Sequence, residues 1–302
     1  MLRWSFALLL ASIFCGGSQA VAQSSNTKKE ALPKPRKVEL ETKDGLKLNG
    51  FYFASNKGKE AIPVMIVHGW EGQINVYAKL CATLQKSGCA VFAFDYRGHG
   101  GSREYTDRRG KKREFDVKTM SKRDIGNIVL FDLESVKAFL KKENNEGNLN
   151  LNALVLVSVR GGCVLAANWA QRDWSFPSVG SRKQGQDVKA LVLVSPERLL
   201  RGIPIDKAIT DPKIASLPTM IIVGEGSAEE SDADRITKRV EVEKKRMSPS
   251  REPEGLEVLK VKQSLGGPAL VAKAPDVIPA IVKFITSEVP ISDVDNPWIE
   301  RN

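Results

Sequence analysis

The chain has 302 residues, 42% of them hydrophobic, and a formal net charge of +10 from 46 Lys and Arg against 36 Asp and Glu. That length and apolar content suit one sizeable domain and argue against a disordered or disulfide-stapled chain. Only two histidines occur, His68 and His99, and no C-x-x-C or His/Cys cluster exists, so neither a zinc site nor a cofactor is expected.

Residues 1–22 read as a secretory signal. Arg3 supplies the positive start, residues 6–14 the apolar run, and Ala20-Val21-Ala22 an A-x-A cleavage pattern. The run falls short of the roughly 20 residues that a spanning helix needs. Cys15 follows Phe14, where a lipid-attachment signal carries a small residue. The expectation is therefore a cleaved signal and a secreted or periplasmic protein, with no transmembrane segment in the mature chain and a membrane-tethered form as the alternative. Residues 23–36 (QSSNTKKEALPKPR) are polar and carry Pro33 and Pro35, as a disordered linker does. Residues 37–287 are expected to form one domain, and 288–302 a C-terminal tail. Cys81, Cys89 and Cys163 remain after cleavage, an odd count. Cys81 and Cys89 are read either as a disulfide or as buried thiols.

Within the domain, residues 38–42 alternate apolar and polar, Asp44-Gly45 marks a hairpin turn, and 46–53 (LKLNGFYF) returns as a second strand. Residues 62–67 (IPVMIV) form a continuous apolar run of the kind buried on both faces of a sheet. Helical spacing over 76–87 ends at Gly88, and 89–95 (CAVFAFD) is the next strand. Residues 103–123 carry nine Lys or Arg against four acids. They read as a solvated loop or as a surface for an anionic partner. Interleaved aromatics are nearly missing there, so no nucleic acid partner is expected. A long amphipathic helix is predicted over 124–142 and a strand over 151–158, followed by a glycine-led helix over 161–169. Further strands are predicted at 190–194, 220–223 and 256–261, and helices near 206–217, 232–247 and 275–284. Eight strands alternating with helices make a mostly parallel sheet covered on both faces. Only about twenty residues separate the strand ending near Ser195 from Leu217, so no large cap domain is expected.

Two motifs add chemistry: His68-Gly69 directly after the third strand, and D-x-R-G-H-G-x-S from Asp95 to Ser102 after the fourth, with Asp132-Leu133 in the following helix. With these the sequence resembles the α/β-hydrolase fold, and within it the lysophospholipase, serine-aminopeptidase and dienelactone-hydrolase-like group. The resemblance implies an oxyanion loop at His68, Gly69 and Trp70, and a serine on a sharp G-x-S-x-G turn between strand and helix. Aligned on Gly161, the nucleophile position is Val159 and the first glycine is replaced by Val157. Ser158 lies one residue early, where it serves as a fallback nucleophile only in a shifted turn. The acid position after the strand ending at Val223 carries Ser227, and the histidine position carries Gly266. No histidine follows residue 99, so nucleophile, acid and base positions all read as substituted.

These readings predict an exported α/β-hydrolase-fold protein without catalysis that retains a binding role. Arg160 and Gly161, with His68, Gly69 and Trp70, line the candidate pocket. Arg160 reads either as a bidentate partner for a small carboxylate- or phosphate-bearing ligand or as a solvent-facing side chain. The alternative is an active carboxylic ester or peptide hydrolase using Ser158. A purely structural exported protein is the third possibility.

Overall fold

A short hairpin opens the domain: β1 (Arg36–Glu41) and β2 (Lys47–Phe53) pair antiparallel around Asp44-Gly45, where Gly45 takes φ 81°. Five largely apolar runs then give strands buried along their length: β3 (Pro63–Val67), β4 (Ala90–Phe94), β5 (Leu154–Val159), β6 (Val188–Val194) and β7 (Thr219–Gly224). β8 (Leu256–Val261) closes the far edge. The computed structural model describes residues 31–106, 109–180 and 182–301. The predicted signal, residues 1–22, and much of the predicted linker lie outside them.

The eight strands lie in the order β1-β2-β4-β3-β5-β6-β7-β8. β2 is antiparallel to both neighbours, and every pair from β4 to β8 is parallel. Two-residue alternation divides the strands between two cores. Met65, Phe92, Leu156 and Leu193 face one side, while Ile66, Val91, Val157 and Val192 face the other. The first side is covered by α2 (Leu133–Asn145), α3 (Gly161–Ser175) and α4 (Glu230–Met247), which contribute Val136, Val164 and Ile236. On the second lie α1 (Ala78–Lys86), α5 (Gly267–Lys273) and α6 (Val277–Glu288), with Leu84, Leu270 and Phe284. This is the two-faced layering that the strand–helix alternation predicts.

Four boundaries differ from the sequence expectation. The helix expected over 124–142 is a run of Lys122–Asn127, a π-helical segment Ile128–Asp132, and α2. The helix expected near 206–217 is two single turns, Asp206–Ile209 and Pro212–Ala215. The domain also begins before residue 37: the Pro33 carbonyl accepts from Gln85 Nε2 at 2.8 Å, and Arg36 starts β1. Nor do residues 288–301 of the predicted tail hang free. Trp298 Nε1 donates to the Leu149 carbonyl at 3.2 Å, the Arg301 N–H donates to Asn145 Oδ1 at 2.8 Å, and Arg301 is buried in an ion pair with Asp187. Val289 and Ile291 pack on the core, and beyond them polar side chains fasten the segment, so hydropathy alone does not reveal it.

Cys81, Cys89 and Cys163 are all free and buried, which settles the pairing left open by spacing. Among the described residues no helix is long and apolar enough to cross a membrane. The basic segment forms a small antiparallel hairpin, Glu104–Thr106 with Lys112–Glu114, separate from the main sheet.

One buried charge cluster ties the D-x-R-G-H-G-x-S segment to the start of α2. Arg97 is 3% exposed, and its Nε donates to Asp132 Oδ1 at 2.9 Å while Nη1 reaches Asp44 Oδ2 at 2.8 Å. Its backbone N–H donates to Asp132 Oδ2 at 2.9 Å. Asp132→Ala leaves the guanidinium buried with one carboxylate fewer and is expected to cost about 3–5 kcal/mol. Urea unfolding of the variant measures this directly.

Candidate functional site

The sharpest backbone feature at the strand ends is Arg160, at φ 49° and ψ −127°, between the last residue of β5 and the first of α3. A non-glycine residue in this region is strained and persists only where its surroundings enforce it. Two contacts do so. The Arg160 N–H donates to the Val194 carbonyl at 2.9 Å, and α3 packs so closely on the oxyanion loop that a Cβ on Gly162 would lie 2.3 Å from the His68 carbonyl oxygen.

This geometry moves the elbow by one residue relative to the sequence reading. The turn is Ser158-Val159-Arg160-Gly161-Gly162, with Arg160 in the nucleophile position and Gly162 as the motif's second glycine. The tandem glycines made the anchor ambiguous, and backbone clearance selects Gly162. Val159 is the last residue of β5 and is fully buried in the core on the α1, α5 and α6 side. Ser158 faces the opposite core, is fully buried, and donates to the Val192 carbonyl at 3.1 Å. It has no path to a substrate in this conformation. Cys163 is equally buried, and burial pushes its thiol up to about 12.

The side chain on the elbow is held by a carboxylate. Arg160 Nη2 lies 2.5 Å from Glu229 Oε1, with the Arg160 side chain 41% exposed and that of Glu229 only 7%. Glu229 stands in the loop between β7 and α4, two residues beyond Ser227. It precedes the acidic first turn of α4, and its side chain meets Arg160 at the elbow. Ser227 supplies no carboxylate, and its buried Oγ has no hydrogen-bond partner among the described residues. Glu197, after β6, is a second carboxylate at the elbow. A Cβ on Gly161 would lie 3.2 Å from its Oε2. Burial raises the Glu197 carboxyl, with Arg160 opposing and Glu229 reinforcing the shift.

The histidine position is occupied by space that the ion pair uses. A Cβ on Gly266 would sit 2.3 Å from Glu229 Oε2, and one on Gly267, at φ 55°, would sit 2.6 Å from Arg160 Nε. The Gly267 N–H instead donates to Ser195 Oγ at 2.8 Å. Gly266 and Gly267 thus lie against the Arg160–Glu229 pair, which leaves no room for a side chain on either.

The loop after β3, which carries His68, Gly69 and Trp70, closes the opposite wall. A Cβ on Gly69 would lie 3.4 Å from the Arg160 Cβ, and the Trp70 Cβ lies 3.4 Å from a Cβ built on Gly161. The Trp70 ring meets His99 edge-on at 4.6 Å, the Arg201 guanidinium lies 5.6 Å from its centre, and its Nε1 is buried without a hydrogen-bond partner among the described residues. His68 is fully buried, stacked on Tyr96 at 4.1 Å, with Nδ1 2.7 Å from the Gly69 carbonyl. His99 Nδ1 lies 3.0 Å from the Arg97 carbonyl. Burial lowers His68 to about 3 and His99 to about 4. Both rings order their loops and are neutral near pH 7.

Sheet order, sharp elbow and oxyanion-loop position together define a protein of the α/β-hydrolase fold. The family model described as serine aminopeptidase, S33, matches residues 59–245, and the chain belongs to this family. Among solved structures it is similar to the Pyrococcus furiosus esterase Pf2001 (17% identity, TM-score 0.58, covering 83% of this chain and 91% of that one). It is also similar to EstE1, a thermophilic carboxylesterase from a metagenomic library (14% identity, TM-score 0.56, 87% and 92% covered). At these identities the likeness is one of fold. Among curated proteins, the uncharacterized protein Rv2307c of Mycobacterium tuberculosis is 39% identical over 71 residues. That match spans 24% of this chain and only 25% of the relative.

Two measurements check the site. Gly162→Ala drives a methyl into backbone carbonyls and is expected to cost about 3 kcal/mol. Gly161→Ala meets the movable ends of Leu200 and Glu197 and touches the Trp70 Cβ only at ordinary contact distance, and should cost under about 1 kcal/mol on the same scale. An elbow centred on Val159 reverses that order in a thermal melt. Stability should also depend on acid. The unfolded histidines take protons near their ordinary 6.5, whereas the folded ones resist to about 4 and about 3. Their contribution is thus fully present above pH 6.5 and falls as pH drops toward 4. His99→Asn should flatten the denaturation midpoint across that window.

Proposed function

We propose that this chain is a pseudo-hydrolase: a serine-hydrolase scaffold whose elbow now binds rather than cleaves. The observation that carries the reading is the Arg160–Glu229 ion pair on the elbow. A guanidinium stays protonated and has no lone pair with which to attack a carbonyl. Acyl transfer by the triad route needs a nucleophile and a base in hydrogen-bond reach. Here the nucleophile position is a cation, the base loop is glycine, and both histidines are locked into backbone contacts. The alternative, an ester or peptide hydrolase using Ser158, requires β5 to re-register and expose a hydroxyl that is fully buried.

The retained ligand in this reading is a small carboxylate- or phosphate-bearing molecule taken by Arg160. Glu229 already supplies a carboxylate to that guanidinium, so the ligand competes with it. The Arg160 Nε, without a hydrogen-bond partner among the described residues, is the donor left for it to satisfy. The basic segment 103–123 is the second candidate surface, for an anionic partner whose binding weakens with salt. Export through the 1–22 leader belongs to the same proposal. Recovery of a chain beginning near Gln23 from the periplasm or medium supports it, and an intact cytoplasmic chain opposes it.

Chromogenic esters of short and medium acyl length should be hydrolysed at the buffer rate, with Ser158→Ala and Arg160→Ser indistinguishable from the natural chain. Turnover lost in Ser158→Ala overturns the pseudo-hydrolase reading. In thermal-shift titrations with short carboxylates, Arg160→Ala should abolish the response. Glu229→Gln should strengthen it about two- to fivefold, since a partly exposed pair is worth about 0.2–1 kcal/mol.

A further inference from the structure

At the N-terminal ends of β5 and β6, the opposite end of the sheet from the elbow, lies a cleft of about 370 Å³ between α2, the 179–187 loop and the C-terminal segment. Its wall is cationic. Lys137 and Lys141 come from α2, Arg182 and Lys183 from the loop, and Arg301 from the C-terminal segment. Lys189 of β6 stands behind them, with its Nζ on the Gln186 carbonyl at 3.0 Å.

Two carboxylates answer this charge, and both are already engaged. Asp173 of α3 is fully buried, accepts from the Asp187 N–H at 2.7 Å, and pairs with Lys137. Asp187 is 1% exposed and is shared by Lys137 at 3.0 Å, Lys183 at 3.4 Å and Arg301. Three cations, Lys137, Lys183 and Arg301, thus pair with two carboxylates, Lys183 also donating to Asn152 Oδ1, and the exposed Arg182 adds charge at the cleft. Arg301 is 97% buried by its 3% exposure, yet its Nε has no hydrogen-bond partner among the described residues. Burying a donor and excess charge in this way is costly unless a partner completes it.

We propose that this cleft is an anion site for a phosphate group, free or as a monoester, held by Lys183, Arg182 and Arg301 with Lys137 and Lys141 beside it. A tetrahedral dianion offers enough acceptors for several charged donors at once, which a singly charged carboxylate does not. The volume admits a phosphate with a small organic substituent. The site is independent of the elbow and of what the elbow binds. The electrostatics are consistent: burial foremost, with repulsion from Lys189 and Arg301, lowers Lys183 to about 8, Asp187 opposing. Lys189 is lowered by burial too. A bound anion relieves both.

The test is calorimetric titration of the full chain carrying Arg160→Ala, so that the elbow guanidinium contributes nothing. Inorganic phosphate and glycerol 3-phosphate serve as probes, with chloride holding ionic strength constant. Saturable one-to-one binding is expected, weakened at least tenfold by Lys183→Gln and severalfold by Arg182→Ala. Arg182 is exposed, so its variant folds even if loss of Lys183 disturbs Asp187. Equal affinity for the two probes assigns the site to the phosphate group itself, and preference for the ester assigns it to an organic phosphate. Sulfate keeps a constant charge between pH 7 and 9, and its binding should fall across that range as Lys183 loses its proton. Absence of saturable binding, or binding untouched by both variants, overturns the proposal.

Discussion

The close approach of α3 to the oxyanion loop is the constraint on which the site depends. A helix that starts immediately after a buried parallel strand must reverse direction within one residue. Gly162 makes this possible by letting the helix backbone rest against the carbonyls of Val67 and His68. The residue before that helix is forced to positive φ, and it projects from the strand end into the space between the loops after β3, β6, β7 and β8. Whatever side chain stands there defines the chemistry. The scaffold has kept the strained turn while placing on it a residue that cannot attack.

The neighbouring loops are fitted to that residue. Glu229 is turned inward to meet the guanidinium, and Gly266 and Gly267 leave the volume that the pair occupies. A partly exposed ion pair contributes little net stability, so its significance lies in exclusion. While Arg160 and Glu229 are paired, a side chain on Gly266 or Gly267 would meet one of them. Arg160 on the elbow, Glu229 on the β7–α4 loop and the glycines after β8 meet in one arrangement. The strain at Arg160, with those at Ser195 (φ 47°) and Arg201 (φ 43°), gathers around the same recess.

Much of this was legible in the linear chain. The apolar runs at β3 to β7 read as strands because a parallel sheet covered on both faces leaves no polar alternation to confuse. His68-Gly69 and the D-x-R-G-H-G-x-S segment placed the loops, and the missing histidine required no alignment. What failed did so for local reasons. Two adjacent glycines admit two registers of the elbow, and only the clearance to His68 and Val67 separates them. Glu229 was hidden among acids that resemble an ordinary helix start. The packed 288–301 segment is held by Asn144, Asn145 and Asp187, whose side chains leave no periodic trace.

The sequence by itself determined the fold class, the mostly parallel sheet and the absence of any imidazole beyond residue 99, because hydrophobic periodicity and composition are properties of the chain alone. Tertiary structure decided which residue sits on the elbow, which carboxylate meets it, and where excess positive charge is buried. Those outcomes depend on distances between segments far apart in sequence: Arg160 to Glu229 across 69 positions, Asp187 to Arg301 across 114. No local pattern encodes such a distance. It is set when the β5–α3 turn, the β7–α4 loop and the C-terminal segment are packed against one sheet.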